Sequence, residues 1–503
     1  MTNALLSGLE GNKNKARTLN GAPTLRSTGS DVLNYFYHAP SSRGKDNSGI
    51  FADAYNEDQK LALKAAFYTR DIRGGQGERE TFRQALRWLY KNDKTTFEKV
   101  IDLVPVYGRW DDILEFVDNG VVRFAVQQQL RKDRFAENPS LLAKWMPMHN
   151  TKGKGPKAVA NRKLAVKWAN VLGLSEANYR RTIVAIRAKL NMPETLMSAK
   201  RFSEINYEHV PSRASALLRK AFSRNDAERY VAYLAAVKKG EKKINASTLY
   251  PYELVQGYAS VHMGSGYAPG VTRLTTVDDT IEALWKALDD LLGEAENAIG
   301  VVDVSSSMFS SPNGNKIMPI FVSVALGIYL AERIKGAFHN YFMTFSNQPN
   351  LIKLRNGTLK NKVDQVFGAG VAYNTNIQAV FDSLLRTAIE NSVKESDMPK
   401  TIFIFSDMEF DHPQNGSVGT NYEVIRRKYK ASGYTMPRLV FWNIDSKQTQ
   451  APVREDENGV ILVSGASPSI MKNALTTTMT TPYDMMVEKL NSDRYAAIDE
   501  ALM

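Results

Sequence analysis

The sequence predicts a multidomain chain: an all-α domain followed by a doubly wound α/β domain. Two observations carry this. From about Val32 to Glu296, apolar residues recur at spacings of three and four, as in Leu61, Ala65 and Tyr68, with few convincing strands. At residue 297 the grammar changes: short β-branched runs such as Ala298–Val302 alternate with helical segments across short connections. That alternation is the signature of a mostly parallel sheet covered by helices. A chain of 503 residues accommodates the division, since domains run to roughly 100–200 residues each.

Residues 1–30 are rich in Asn, Gly, Ser and Thr without periodicity, which predicts a flexible N-terminal arm. Residues 31–296 form the basic helical domain. Clear helices are expected over Asp58–Arg70, Glu78–Leu89, Asp111–Val117, Arg162–Val171, Ala177–Leu190, Asp226–Val237 and Asp278–Leu292, with breakers such as Gly74-Gly75, Pro105, Gly173 and Pro193 between segments. Serial short helices suggest a bundle or solenoid, although no fixed repeat period is visible. In residues 297–465, strands are expected at Ala298–Val302, Asn340–Phe345, Thr401–Phe405, Arg438–Trp442 and Val460–Val463. Helices at Ile317–Ile334, Ile377–Glu390 and Tyr422–Ala431 alternate with them. Residues 466–503 close the chain with helices Met485–Leu490 and Arg494–Ala501, expected to pack on the preceding domains.

The formal charge is +12, from 65 Lys+Arg against 53 Asp+Glu, and it is uneven. Residues 297–503 hold 20 of each sign, whereas residues 144–243 hold 22 basic and 7 acidic residues. Such asymmetry suggests a polyanionic partner met by one half only; the alternative is a solvated Lys/Arg-rich helix surface. The absence of cysteine excludes disulfides, thiolate metal sites and thiol nucleophiles. The longest nearly uncharged apolar run, Ile317–Ala331, has 15 residues, short of the ~20 that span a bilayer. With no signal-peptide pattern at the N-terminus, a cytoplasmic protein without membrane contact is expected.

Ligands of doubly wound sheets bind beyond the carboxyl ends of the strands. There the first strand runs into Asp303-Val304-Ser305-Ser306-Ser307, a D-x-S-x-S pattern, and the strand Thr401–Phe405 runs into Ser406-Asp407-Met408-Glu409. Between them, Gly368-Ala369-Gly370-Val371-Ala372-Tyr373-Asn374-Thr375-Asn376 leads into a helix at the same edge. Hydroxyls and carboxylates are hard oxygen donors, suited to Mg²⁺, Ca²⁺ or Mn²⁺ and not to Zn²⁺. Two carboxylates leave an octahedral shell incomplete, so water or an acidic group from a partner would finish it.

This constellation resembles the metal-ion-dependent adhesion site of von Willebrand factor A domains. The resemblance implies that Ser305, Ser307 and Thr375 supply hydroxyl oxygens, while Asp303 and Asp407 bind a divalent cation, Mg²⁺ foremost, directly or through water. One departure is Met408, where that family often has glycine.

A von Willebrand A domain following a basic helical domain resembles the TROVE module of the Ro ribonucleoprotein autoantigen family, in particular its microbial, fungal and phage relatives. The segments that carry this are Arg70-Asp71-Ile72-Arg73-Gly74-Gly75-Gln76-Gly77-Glu78-Arg79, Val106-Tyr107-Gly108-Arg109-Trp110-Asp111-Asp112, Ile205-Asn206-Tyr207-Glu208-His209-Val210-Pro211-Ser212 and Val463-Ser464-Gly465. The resemblance covers nearly the whole chain after residue 30. It implies a HEAT-like helical domain, closing into a ring, and a small non-coding or misfolded RNA as partner of a monomer.

RNA binding needs cations for phosphates and aromatic or guanidinium planes for exposed bases. The basic stretch offers Lys152, Lys154, Lys157, Arg162, Lys163, Lys167, Arg180, Arg181, Arg187 and Lys189, interleaved with Trp145, Trp168, Tyr179, Tyr207 and Tyr230. For any one of the aromatics, helix packing is the blander account. Gly74–Arg79 lacks the Lys-Ser/Thr of a phosphate loop and follows no strand, which makes it a helix-to-helix turn. Arg109–Asp112 reads as capping and buried ion pairing. The six histidines, His412 near Asp407 among them, show no paired spacing, and no nucleophile elbow is present. The expectation is therefore a non-catalytic RNA-binding protein. The alternatives are a metal-dependent protein scaffold and, more remotely, a metal-dependent nuclease.

Overall fold

The computed structural model describes residues 13–263, 269–310, 317–345, 348–368, 375–411 and 419–503. A helical region leads into an α/β domain built on a six-stranded sheet. Side-chain caps set many of the helix starts. Asp58 accepts from Leu61 N at 2.9 Å and opens the helix Gln59–Arg70; Asp93, Asn119 and Ser175 do the same for Lys94–Val100, Gly120–Phe135 and Glu176–Lys189. Each cap satisfies an amide that has no partner within its own helix.

Two expected helices come out differently. Asp111–Val117 is a pair of 3₁₀ turns, Trp110–Asp112 and Leu114–Phe116. Asp112 accepts from the Arg109 amide and from the Arg70 and Arg83 guanidinium groups, which tightens the chain there. Asp278–Leu292 stops at Lys286, because the Tyr329 hydroxyl donates to Asp289 O and accepts from Leu291 N, holding that segment out of helix.

Residues 13–30 correct the expectation of a flexible arm. β1 (Lys15–Arg17) and β2 (Pro23–Leu25) form an antiparallel hairpin. Leu25 exchanges both backbone hydrogen bonds with Ala451 at 3.0 Å. The Thr and Asn side chains that suggested disorder instead bond to loops of the α/β domain. A second hairpin, β3 (Ala259–Met263) with β4 (Pro269–Arg273), precedes the α/β domain.

The large sheet contains β5 (Ala298–Val302), β6 (Tyr341–Thr344), β7 (Leu351–Lys353), β8 (Thr401–Ser406), β9 (Arg438–Asn443) and β10 (Val460–Ser464), in the order β10-β9-β8-β5-β6-β7. All neighbours pair in parallel except β7, which lies antiparallel on the β6 edge. The chain steps outward from β5 to β6 and then returns to place β8 on β5's other flank. The topological switch point thus falls between the carboxyl ends of β5 and β8.

β5, β8 and β10 are buried at every residue, which explains their unbroken apolar runs. The helix Pro319–Arg333, buried from Pro319 through Ala331, is the core helix behind the apolar run at 317–331. Gly327 is required there: a Cβ would lie 2.3 Å from Val302 Cγ2. Among the described residues no helix is long and apolar enough to cross a membrane.

The two regions share one continuous core. Helix Asp31–His38 packs on β10, and the C-terminal helices Pro482–Leu490 and Ala496–Leu502 return to Gln59–Arg70. Polar clamps fix this return. Asp71 accepts from Arg494 Nε and Nη2, each at 2.7 Å, and buried Lys64 donates to Asn491 at 2.7 Å and Asp499 at 2.8 Å.

Candidate metal centre and nucleic-acid surface

At the switch point, Asp303 follows β5 with its amide donating to Phe405 O of β8 at 3.1 Å. Asp303 and Asp407 are buried. Asp303 Oδ1 accepts from Ser305 N at 2.9 Å, and its Oδ2 accepts from Ser406 Oγ at 2.5 Å. The hydroxyls of Ser305 and Ser307 lie 3.1 Å apart. Burial, reinforced by the nearby Asp407 charge, pushes the Asp303 carboxyl up to about 6. Two neighbouring buried acids create a demand for positive charge.

Thr375 is tied to the same loop from the other side. Its hydroxyl donates to Glu409 O at 3.0 Å, and its amide donates to Asp411 Oδ2 at 2.8 Å. Glu409 N in turn donates to Asp407 Oδ1 at 3.2 Å. Residues 369–374 of the preceding loop and His412 lie outside the described residues.

Met408 has φ +64°, the left-handed region in which an L side chain costs about 1–2 kcal/mol. The turn therefore keeps a glycine-like conformation with methionine in it.

Several participants are not evident from the D-x-S-x-S reading. Lys447 Nζ lies 2.6 Å from Asp407 Oδ2 and 3.1 Å from Ser307 O. Buried Asp445 is pushed up to about 6, burial being the main cause. Burial also raises Glu409 and lowers Lys45, which donates to the carbonyls of Ser446 and Lys447. Lys447 follows β9 on the same sheet edge, so the switch-point rule, extended to that strand, would have found it.

The tip of the N-terminal hairpin is seated beside this centre. Asn20 Nδ2 donates to Thr375 Oγ1 at 3.2 Å and to Glu409 O at 2.7 Å, while Leu19 N donates to Glu409 Oε2 at 2.5 Å. A cavity of about 30 Å³ between hairpin and sheet, bordered by Thr18, Asp407 and Asn443, has room for about one water.

The donor set is entirely oxygen, which fits a hard divalent cation. Among the described residues no three Asp, Glu, His or Cys side chains converge on one point. A cation here would therefore draw on the serine and threonine hydroxyls together with the two aspartates.

In the basic stretch, Lys152, Lys154, Lys157, Lys163, Arg180 and Arg181 are exposed and, among the described residues, their side chains enter no hydrogen bond or ion pair. They lie on and before the helices Pro156–Val171 and Glu176–Lys189. The other four cations have intramolecular tasks. Arg162 donates to Thr151 O and Gly153 O, and Arg187 holds the carbonyls of Ala143, Lys144 and Met146. Lys189 donates to Arg134 O and Ala136 O, and Lys167 pairs with Asp118. Of the interleaved aromatics, Trp168, Tyr179, Tyr207 and Tyr230 are buried packing residues, and only Trp145 is partly exposed.

The fold and site define a helical-plus-α/β protein with a hydroxyl–carboxylate centre at the sheet's switch point and a basic helical flank. Residues 18–123 and 125–295 match DUF2828, described as a domain of unknown function, and the chain belongs to that family. Residues 297–500 match a second domain of unknown function, DUF7788. The chain is also similar to an uncharacterized protein of Acanthamoeba polyphaga mimivirus, with 28% identity over 524 residues covering 95% of this chain and 87% of that protein.

Proposed function

We propose that this is a non-catalytic RNA-binding protein of the Ro type: a HEAT-like helical domain that grips small RNA, and a von Willebrand A-like domain that holds a divalent cation. The observation that carries the RNA reading is the set of six exposed cations, on and before the helices around residues 152–181, whose side chains have no partner among the described residues. Cations without intramolecular partners remain available to phosphates, and the 16-residue helix Pro156–Val171 spans about 24 Å along which a strand can track. A single-stranded RNA contacting all six would show a log–log salt slope near −4, from about −0.7 per phosphate. The test is RNA binding by fluorescence anisotropy between about 50 and about 200 mM salt. Joint replacement of Lys152, Lys154 and Lys157 by Gln is expected to halve that slope. Failure of the unaltered protein to bind RNA at the lower salt overturns the reading.

The sheet edge supports a second role for the same molecule, as a metal-dependent ligand site. Asp303, Ser305, Ser307, Thr375 and Asp407 would hold the cation, Mg²⁺ foremost, and the ion would offer an open position to an acidic group of a partner. What favours this is the hairpin tip already hydrogen-bonded to Thr375 and Glu409, which marks the edge as a surface that receives polypeptide. Chelation or Asp303→Asn is expected to abolish such partner binding and leave RNA binding unchanged.

A further inference from the structure

Arg79 closes the turn after the helix Gln59–Arg70 and sits at the N-cap of the helix Glu80–Asn92, where no side chain caps the first turn. Four guanidinium groups gather around two carboxylates at this point. Arg70 Nη2 lies 2.7 Å from Asp112, Arg83 pairs with Asp112 at 2.9 Å and Asp111 at 3.0 Å, and Arg109 pairs with Asp111 at 2.7 Å. Arg79 lies within electrostatic range of Arg70, Arg83 and both aspartates, yet among the described residues its side chain enters no hydrogen bond or ion pair. Its Nε, like that of Arg109, is buried without an acceptor.

The cluster is thus short of two negative charges in a partly desolvated setting. Burial, with the neighbouring arginines adding to it, lowers Arg79, and burial lowers Arg109 to about 10. A guanidinium held this way, with the aspartates nearby but none hydrogen-bonded to it, destabilises the free protein, and its planar fork matches phosphate oxygens. Beside it, the Arg109 guanidinium stacks 3.8 Å from the Trp145 ring centroid, with Lys144 Nζ 5.7 Å from the same ring. Trp145 is the one aromatic of the basic stretch's set that is partly exposed.

We propose that Arg79 and Arg109, beside Trp145, form a phosphate-plus-base subsite for single-stranded RNA, separate from the cations on the helices around residues 152–181. This deepens the RNA reading and rests on it. Phosphate would complete the charge of Arg79, and the adjoining base would stack on the Trp145 face, a contact that tolerates any base.

The test compares the full-length protein with Arg79→Gln, using a fluorescein-labelled oligouridylate of about ten nucleotides. Because, among the described residues, no acceptor is hydrogen-bonded to the Arg79 side chain, the substitution is expected to keep or raise the thermal midpoint. It is expected to weaken oligouridylate binding about tenfold and to lower the salt slope by about one phosphate. Trp145→Leu is expected to weaken binding about tenfold with the salt slope unchanged. Unaltered affinity and slope in Arg79→Gln overturn the subsite and leave the RNA reading standing, and a lowered midpoint overturns it by making Arg79 structural. No binding by the unaltered protein at low salt overturns both.

Discussion

The Lys447 ammonium stands 2.6 Å from Asp407 Oδ2 and 3.1 Å from Ser307 O, so the protein carries its own cation at the carboxylate–hydroxyl centre. Asp407 is fully buried there, and a buried acid left without a cation costs about 3 kcal/mol or more. Lys447→Met is therefore expected to lower stability in chelator by about 3 kcal/mol. Added Mg²⁺ is expected to restore more midpoint to this variant than to the unaltered protein, since binding to the folded state alone stabilises it. Thermal unfolding with and without Mg²⁺ reads this directly. Equal Mg²⁺ responses in both proteins would remove Lys447 as a competitor for the centre.

The hairpin tip offers a second handle on the same edge. Asn20 makes two side-chain bonds, to Thr375 Oγ1 and Glu409 O, and losing them costs about 1–2 kcal/mol. Arg17, exposed in strand β1, is a potential tryptic site within the docked hairpin. Asn20→Ala is expected to speed cleavage after Arg17 about tenfold when local opening limits the rate. Limited proteolysis followed by mass spectrometry checks it, and unchanged cleavage would mean that the hairpin's other contacts, to Glu409, Phe410 and Ala451, hold it without Asn20.

The parts of the fold that were legible are those whose information is local. Ile377–Glu390 is a helix over the expected residues because Asn376 caps Ala379 N and the apolar stripe is continuous. β5 and β8 are legible because burial on both faces leaves unbroken apolar runs, and the switch-point rule then places Asp303 and Asp407. β7, three residues with only its central one half-buried, offers no period to read. The hairpin of residues 15–25 depends on Ala451 and Phe410, more than 380 positions away, and composition cannot report that pairing. Lys447 is reached only by extending the switch-point rule to β9, because its role comes from parallel neighbours in the sheet and not from adjacent letters.

The Gly74–Arg79 turn is a clamp. Its amides point inward, with Gly75 N and Gly77 N donating to Asp71 O, Gln76 N to Tyr68 O and Glu78 N to Thr69 O. Its outer face holds the segment after β10: Ser467 N donates to Gln76 Oε1 at 3.1 Å and Ser469 Oγ to Gly75 O at 2.9 Å. A Cβ on Gly75 would fall 1.9 Å from Tyr68 O, which is backbone and cannot yield cheaply. Gly75→Ala is expected to cost about 3 kcal/mol. Gly120→Ala, where a Cβ meets nothing within 4 Å at a helix start, is expected to be neutral or to add up to about 1 kcal/mol. Paired denaturant titrations check the contrast.

His38 gives the fold an acid-sensitive joint between the helical region and the sheet. Its Nδ1 lies 2.7 Å from Ser446 Oγ, and burial, aided by the Lys45 charge, lowers its pKa to about 3. The unfolded chain protonates this imidazole near 6.5, whereas the folded chain keeps it neutral. The contribution is fully present above about pH 6.5 and falls by about 1.4 kcal/mol per unit as pH drops toward 3. Buried carboxyls such as Asp445, raised to about 6, act in the opposite direction over part of that window, so total stability alone does not isolate the histidine. The difference between the unaltered protein and His38→Asn does, because the amide cannot titrate. That difference is expected to shift against the unaltered protein by about 2 kcal/mol between pH 6.5 and pH 5. A pH-independent difference would show that His38 is protonated alike in both states.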